Sequence, residues 1–468
     1  MGAQRKSPSV SRTKNSITLQ YLFDLDSRSN VGSKLLANEN SGSTSSADSE
    51  DEEIMSVISY CTVTYSFDDP SEVASHFDLK RLKLIQLLSI IKTLKKPLED
   101  QILQPLFHML SSNLFRPLPP PCNTSITSIL PDDDDLVATS TAAWPHLQLI
   151  YDILLRLIIS MEAKDLRDCI DQSFITNLLY LFQSEDPRER ESLKNVYHRI
   201  YSKFTFYRAL MRKGMNDVFL YYVFETDDQR HWGIGDLLEI WGSIINGFTI
   251  PLKEEHKLFL MRVLIPLHKP TSMQAYHRQL SYCVSQFVQK EPVLGGIAIR
   301  GILKYWPVTN CQKEILLIGE LEELVEYIDP GQYRKFAFPI CSKITKCSNS
   351  GNSQVAERAL YVWNNEYMVK MASQAMDDVF PMLVEGIQNN LKTHWSKGVQ
   401  QLTENVKVML EEIEPSLYKK CLQKLKFQNS ATQLEEMRRK KEWDRIESAA
   451  ARNEVLLLQQ LLHTSVSH

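Results

Sequence analysis

A helical periodicity that continues almost without interruption from about residue 56 is the feature that most constrains how this chain folds. Residues 79–94 are typical, because apolar side chains recur there every three or four positions, at Leu84, Leu87, Leu88 and Ile91. That spacing places them on one face of a helix, which must be buried against a neighbouring element. Alternation of the strand type is tempting only at residues 61–65.

Proline residues interrupt this pattern at a nearly constant interval. Pro145 and Pro187 are 42 positions apart, and Pro266 and Pro307 are 41 positions apart. Helix pairs that repeat every ~40–47 residues are typical of HEAT-like arrays, in which each pair buries its apolar faces on its neighbours. The interval therefore predicts an all-α protein, a curved α-solenoid of HEAT-like helix pairs over residues 56–430.

The two ends of the chain differ in composition from this central region. Residues 1–55 are rich in Ser and end in an acidic run, a composition that buries too little apolar surface to offset the entropy of ordering. We therefore predict a disordered N-terminal tail. Residues 431–468 predict a charged C-terminal helix and tail, in which acidic neighbours make the basic run 438–441 a poor import signal.

Composition excludes several functional classes. Lys and Arg number 53 and Asp and Glu number 57, so a net charge of −4 excludes nucleic-acid binding by bulk charge. The count of 16 glycines argues against an all-β protein with many tight turns. The eight cysteines form no C-x-x-C pair, and no run of ~18 apolar residues exists to cross a membrane. These features predict a cytoplasmic or nuclear protein, or one found in both compartments.

Motifs for catalysis are also missing from the sequence. The chain has neither a Walker loop nor an H-E-x-x-H zinc helix. Its glycine cluster, Gly295, Gly296 and Gly301, lies in an apolar helical context and is a weak signal for phosphate binding. We therefore expect no catalytic residue, no metal and no cofactor, and an enzyme is the minor hypothesis.

A basic face between residues 194 and 212 is the first candidate for binding. Asp186 and Pro187 predict a helix start, Glu189 is expected to reach back to the cap amide, and Gly214 is expected to end the region. The basic face collects Lys194, His198, Tyr201, Thr205, Arg208 and Arg212, and the adjoining core stripe is Leu193, Tyr197, Ile200 and Phe204. Arginines and rings together suit an acidic peptide, although an ordinary exposed helix face is the alternative.

An acidic run, Asp132, Asp133, Asp134 and Asp135, is the second candidate. It lies between a proline-rich stretch at residues 117–121 and the helix start at Pro145. Four adjacent carboxylates suit a cation or a basic partner surface, and a solvated loop is the alternative.

Eight long motifs, in the same order along the chain, resemble the regulatory B′ subunits of protein phosphatase 2A. Their amino-acid sequences are more similar to plant members than to animal ones. The resemblance covers about residues 56–450. The motifs are residues 142–148, 184–190, 198–201, 242–248, 251–257, 303–307, 354–360 and 363–367.

The resemblance implies a HEAT-like solenoid that has no catalytic residues and docks on a scaffold (A) subunit and a catalytic (C) subunit of a Ser/Thr phosphatase. It also implies a pocket for substrate motifs of the form L-x-x-I-x-E. The residues that match this pocket are His198, Arg199, Tyr201, Arg208, Glu239, Ile240, Ile244, Lys253 and His256, with Arg212 as a flanking basic position.

Within that pocket the resemblance implies distinct roles. Ile240 and Ile244, one helical turn apart, would form an apolar floor for the Leu or Ile of the motif. Lys253, His256 and the arginines would receive its Glu and nearby phosphates, so we expect Arg208 and His256 to approach each other. The acidic loop, residues 132–135, would face the catalytic subunit.

Two departures from the family pattern lie beside the expected pocket. Residues 226–233 are about two residues longer than the usual loop, and Trp241 stands where a smaller apolar residue is usual.

A HEAT-type scaffold or transport adaptor without a phosphatase is the alternative function.

Overall fold

The computed structural model describes residues 45–65, 74–93, 98–118, 143–225, 231–307 and 309–465, with side chains except those of residues 45–50, 74 and 455–465. Throughout these ranges the chain forms helices and turns and no β-strand, which confirms the predicted all-α class. The chain divides into two compact units, residues 1–249 and 250–468.

The first unit contains eight α-helices in its described ranges. They are α1 (Ser45–Thr62), α2 (Ala74–Thr93), α3 (Asp100–Leu114), α4 (Trp144–Ser160), α5 (Gln172–Tyr180), α6 (Pro187–Lys203), α7 (Arg208–Phe224) and α8 (Ile234–Asn246). One layer stacks α2, α4, α6 and α8 in turn, while α1 packs on α3 and α5 on α7. Each helix thus contacts the next but one, which is the packing expected for successive helix pairs of an α-solenoid.

The second unit repeats this packing. Its described helices are α9 (Glu254–Phe259), α10 (His277–Lys290), α11 (Gly295–Lys304), α12 (Cys311–Tyr327), α13 (Tyr333–Ser348), α14 (Ser353–Tyr361), α15 (Glu366–Ser373), α16 (Met376–Thr393), α17 (Lys397–Ile413) and α18 (Pro415–Ser465). One layer stacks α10, α12, α14 and α17, and the other stacks α11, α13, α16 and α18.

Hydrogen bonds between neighbouring pairs report the length of the repeat. Lys203 donates to the Ile159 carbonyl, Lys313 to the Lys269 carbonyl and His394 to the Ser350 carbonyl, and in each case the partners are 44 positions apart. Each side chain therefore contacts the equivalent position of the preceding repeat. The separation of 44 residues is close to the interval of 41–42 residues between the prolines. One of these bonds lies in the first unit and two lie in the second, so a helix-pair unit of the same length builds both.

The predicted core positions are buried. Leu84, Leu87, Leu88 and Ile91 expose less than a tenth of their surface, and the stripe of α6 is fully buried. The glycines of the weak phosphate signal serve packing instead, because a Cβ on Gly301 would lie 2.3 Å from Ile265. Gly295 and Gly296 are constrained in the same way by side chains of neighbouring helices, so this cluster is not a phosphate-binding loop.

Three local predictions need correction. Helix α1 begins at Ser45 rather than near residue 56, and the acidic residues 51–53 lie on it just before Ile54 and Val57, whose burial holds the helix against its neighbours. Gly214 lies inside α7 rather than at a helix end, because its missing Cβ leaves room for Leu179 of α5. Residues 1–44 of the predicted tail lie outside the described residues.

The start of α6 shows the third correction. Asp186 caps the helix through the Arg188 amide and Pro187 occupies the first turn, as predicted. Glu189, however, does not act as the capping-box residue. Its buried carboxylate accepts two hydrogen bonds of 2.9 Å from Arg116 and further ones from Ser184 and Tyr151. A buried carboxylate is stabilised best by a bidentate guanidinium, and this outweighs the local cap.

Candidate functional site

The predicted basic face spans two helices rather than one. Helix α6 ends at Lys203, residues 205–207 form a 3₁₀ turn, and α7 begins at Arg208. Phe204 leaves the helical conformation with φ of −94° and ψ of 75°, and its side chain is fully buried at the junction. The basic residues therefore meet at a corner between α6 and α7, which the spacing alone did not predict.

Two arginines hold Tyr201 at this corner. Arg208 donates from Nε to the Tyr201 carbonyl at 3.0 Å and from Nη2 to the Ser202 carbonyl at 2.9 Å, which caps the last turn of α6. Its guanidinium lies 5.4 Å from the centre of the Tyr201 ring, within cation–π range. Arg212 donates to the Tyr201 hydroxyl at 3.1 Å. The ring is therefore fixed on its face and at its hydroxyl, and both guanidiniums stay half-buried beside it.

Lys194 does not belong to this basic corner. Its side chain is largely buried, and its Nζ donates to Glu239 at 2.6 Å and to Glu191 at 2.5 Å. Burial opposes the charged amine, but these two hydrogen bonds outweigh it and raise the pKa of Lys194. Asp236 on α8 lies 3.9 Å away and adds to the negative surroundings. One carboxylate oxygen of Glu239, a predicted pocket residue, thus forms an ion pair that joins α8 to Lys194 of α6.

The expected apolar floor is mostly enclosed. Ile240 and Ile244 lie one turn apart on α8, which packs on α6, but they expose only 1% and 7% of their surface. Trp241 between them exposes 2%. Of the two isoleucines, Ile244 therefore offers the contact area, while Ile240 supports it from the core.

The remaining predicted residues are distributed over both units. His198 and Arg199 are half-buried on α6. Lys253 is exposed before α9 of the second unit, and half-buried His256 lies in α9 with Nε2 3.5 Å from Glu255. The approach of Arg208 to His256 stays a prediction. Residues 132–135 and most of the long loop, 226–230, lie outside the described residues.

The described residues contain neither a metal site nor a membrane-spanning helix. Within them, no group of His, Cys, Asp and Glu has the arrangement of a metal site. Their helices also include none with the length and apolarity needed to cross a bilayer.

The bridge from Lys194 to Glu239 was missed at the sequence level, although its separation of 45 positions is about one repeat and could have indicated it.

Comparison with known proteins identifies the family. Residues 40–450 match the family described as protein phosphatase 2A regulatory B subunit (B56 family). The chain is 42% identical over 393 residues to the B′ beta isoform of the 57 kDa regulatory subunit of serine/threonine protein phosphatase 2A from Arabidopsis thaliana, covering 84% of this chain and 78% of that protein.

Two further relatives extend the comparison. The B′ gamma isoform of the 59 kDa regulatory subunit from Arabidopsis thaliana is 43% identical over 402 residues, covering 85% of this chain and 76% of that protein. The 57 kDa B′ kappa isoform of Oryza sativa subsp. japonica is 40% identical over 399 residues, covering 85% and 78%. This chain therefore belongs to the B56, or B′, family of regulatory, non-catalytic subunits of protein phosphatase 2A.

Proposed function

We propose that this chain is the substrate-selecting subunit of a phosphatase 2A heterotrimer, which binds the scaffold (A) and catalytic (C) subunits and recruits substrates through L-x-x-I-x-E motifs. The observation that supports it most is the corner at which Arg208 and Arg212 hold Tyr201. Arg208 uses two of its donors to cap α6, and a guanidinium has five N–H groups to offer. Donors thus remain for a carboxylate at a position that folding has already fixed.

Preorganisation is the physical reason why this corner suits a short peptide. A disordered peptide loses conformational entropy when it binds, so a site that must also order its own arginines gains little net affinity. Here Tyr201 and the α6 carbonyls hold both guanidiniums before any ligand arrives. Ile244 would contact an apolar motif residue, and Lys253 and His256 would receive acidic groups. The acidic run 132–135 would face the catalytic subunit.

Peptide titration tests the motif site. A fluorescent L-x-x-I-x-E peptide is titrated with the full chain and with His198→Ala and Arg212→Ala, which leave the cap from Arg208 intact. Loss of a charge-assisted hydrogen bond should weaken binding by about 1–3 kcal/mol. Lys213→Ala is the matched control, because Lys213 is exposed on the same turn of α7. Equal effects of Arg212→Ala and Lys213→Ala would refute the site.

Copurification tests the assembly separately. The tagged full chain should recover the A and C subunits, and the same two peptide-site variants should recover them equally well. Recovery of neither subunit would favour the HEAT-type adaptor without a phosphatase. Replacing all four aspartates at 132–135 by Asn should alter assembly or turnover, and unchanged behaviour would favour a solvated loop.

A further inference from the structure

Helix α18 has a long exposed portion that the proposed function does not use. Tyr418 and Cys421 are buried where α18 begins against α16 and α17. From Lys426 to Glu454, in contrast, every side chain is exposed. At 1.5 Å per residue this portion is about 40 Å long, and the described part of the chain places nothing against it.

One seam runs along this exposed portion. Its positions follow one another in alternating steps of four and three, which aligns them along one side of a helix as in a coiled coil. They are positions 427, 431, 434, 438, 441, 445, 448 and 452. The seam residues are Phe427, Ala431, Leu434, Arg438, Lys441, Arg445, Ser448 and Arg452. Phe427 and Leu434 expose 77% and 67% of their surface. The seam is therefore apolar in its first half and basic in its second.

The opposite side of the helix carries charges of both signs. Glu436, Glu447 and Glu454 lie there in the same spacing, with Trp443 among them. Arg439 and Lys440 lie beside them, so sorting of charge is confined to the seam, on which all four charged residues are basic. On the seam itself, the ion pair that the structure records joins Arg438 to Glu442 at 3.7 Å, and both side chains are mostly exposed. Such a pair contributes little and leaves the basic half of the seam available.

We propose that this seam, from Phe427 to Arg452, binds an amphipathic helix of a partner protein whose matching seam is apolar at one end and rich in Asp or Glu at the other. Burial of Phe427 and Leu434 would supply the anchor, and the carboxylates would neutralise the basic half and set the direction of the partner. The inference is independent of the peptide site, which includes no residue of α18.

Two other occupants fit less well. Pairing of the seam with a second copy, in parallel register, would set Arg438 against Arg438 and Lys441 against Lys441, which is repulsive. An antiparallel copy centred on the basic half brings the same charges together. A membrane-surface helix needs a continuous apolar face, whereas Trp443 and Ile446 lie about 100° or more around α18 from Phe427.

The test uses a synthetic helical peptide as the probe. It has Leu at the positions that face Phe427 and Leu434, and Glu at those that face the four basic seam residues. The probe is titrated with the full chain and with Lys441→Glu/Arg445→Glu. The matched control is Arg439→Glu/Lys440→Glu, which makes the same change in net charge on the same helix but off the seam. Circular dichroism checks that helicity is preserved.

The expected result is specific to the seam. Reversal of two exposed charge pairs should weaken the probe by about tenfold, and the off-seam control should stay within about threefold. A probe with Lys in place of only the two Glu that face positions 441 and 445 should regain affinity for Lys441→Glu/Arg445→Glu. The proposal is overturned if both variants weaken equally, if the probe does not bind, if a probe of scrambled order binds equally well, or if phosphatidylserine vesicles bind in its place.

Discussion

A buried carboxylate in the second unit should make the stability of this protein depend on pH. Glu320 of α12 is almost completely buried between two histidines. His268 donates from Nε2 to Glu320 at 3.0 Å, and His277 donates from Nε2 at 2.9 Å. The Nδ1 of His268 lies 2.9 Å from the Ile265 carbonyl, which also only accepts. With Glu320 ionised, both ring nitrogens of His268 must therefore hold protons, and the ring is a buried imidazolium.

The magnitude follows from the displaced pKa values. Burial would raise the pKa of Glu320, but the attraction and hydrogen bonds of His268 and His277 lower it from 4.5 to about 2. Because one pKa unit corresponds to about 1.4 kcal/mol, the charged form contributes about 3 kcal/mol. Glu320→Ala, which leaves buried N–H groups without an acceptor, should lower the free energy of unfolding by about 3–5 kcal/mol. Glu320→Gln, which keeps one acceptor, should cost less.

The pH profile separates this mechanism from simple loss of packing. The folded pKa of Glu320 is below its unfolded value, so its contribution is complete above about pH 4.5 and is lost as the pH falls toward 2. Burial and nearby Lys313 oppose the charge of His268, but Glu320 outweighs both and raises the pKa of His268 above 6.5. That contribution is complete below pH 6.5 and is lost as the pH rises through the folded value. The stability difference between wild type and Glu320→Gln should therefore be largest between about pH 4.5 and 6.5.

Urea unfolding of the full chain, followed by circular dichroism between pH 4 and 8, measures this difference. Hydrogen exchange of the α12 amides assigns it to the second unit, because the two units need not unfold together. Glu326→Ala is the control, since Glu326 is exposed on the same helix and should cost less than about 1 kcal/mol. A difference that does not vary with pH, or an equal loss in the control, would refute the buried-imidazolium reasoning.

Three further predictions concern the helix packing, and urea unfolding measures each of them. Lys203→Met should cost about 1–3 kcal/mol, because its amine donates to the Ile158 carbonyl at 2.6 Å and closes the end of α4; an unchanged midpoint would contradict the cap. Gly301→Ala should cost about 1–3 kcal/mol, since the new Cβ would lie 2.3 Å from Ile265, and no loss would mean that the helices separate freely. Glu189→Ala should cost about 3–5 kcal/mol by leaving the Arg116 guanidinium without its buried partner, and a loss below about 1 kcal/mol would refute that role.

The predicted site illustrates what a helical spacing can and cannot indicate. Lys194, Tyr201, Arg208 and Arg212 follow one another at helix-like steps, but the helix ends at Lys203. Phe204, at which the helical conformation ends, is fully buried, and apolar spacing alone does not distinguish such a residue from one inside the helix. The same helix-like spacing places Lys194 on the basic face. Its partner Glu239 lies on α8, and the spacing of residues within α6 contains no information about that contact.

Elements that depend on local periodicity could be predicted from the amino-acid sequence. Core positions such as Leu87 and the start of α6 at Asp186 and Pro187 follow from apolar spacing and capping, which act within one or two turns. The repeat length was also encoded, since a break every 41–42 residues corresponds to bonds across 44 residues in the structure.

The pairing of charged groups, in contrast, depends on the tertiary structure. Glu189 has a local role available as a helix cap, yet it binds Arg116, which is 73 positions away. Glu320 meets His268 and His277 across about one repeat, and this contact decides its ionisation. The reason is that a buried charge is stable only beside specific partners, so its environment is set by which helices stack and not by its neighbours in the chain.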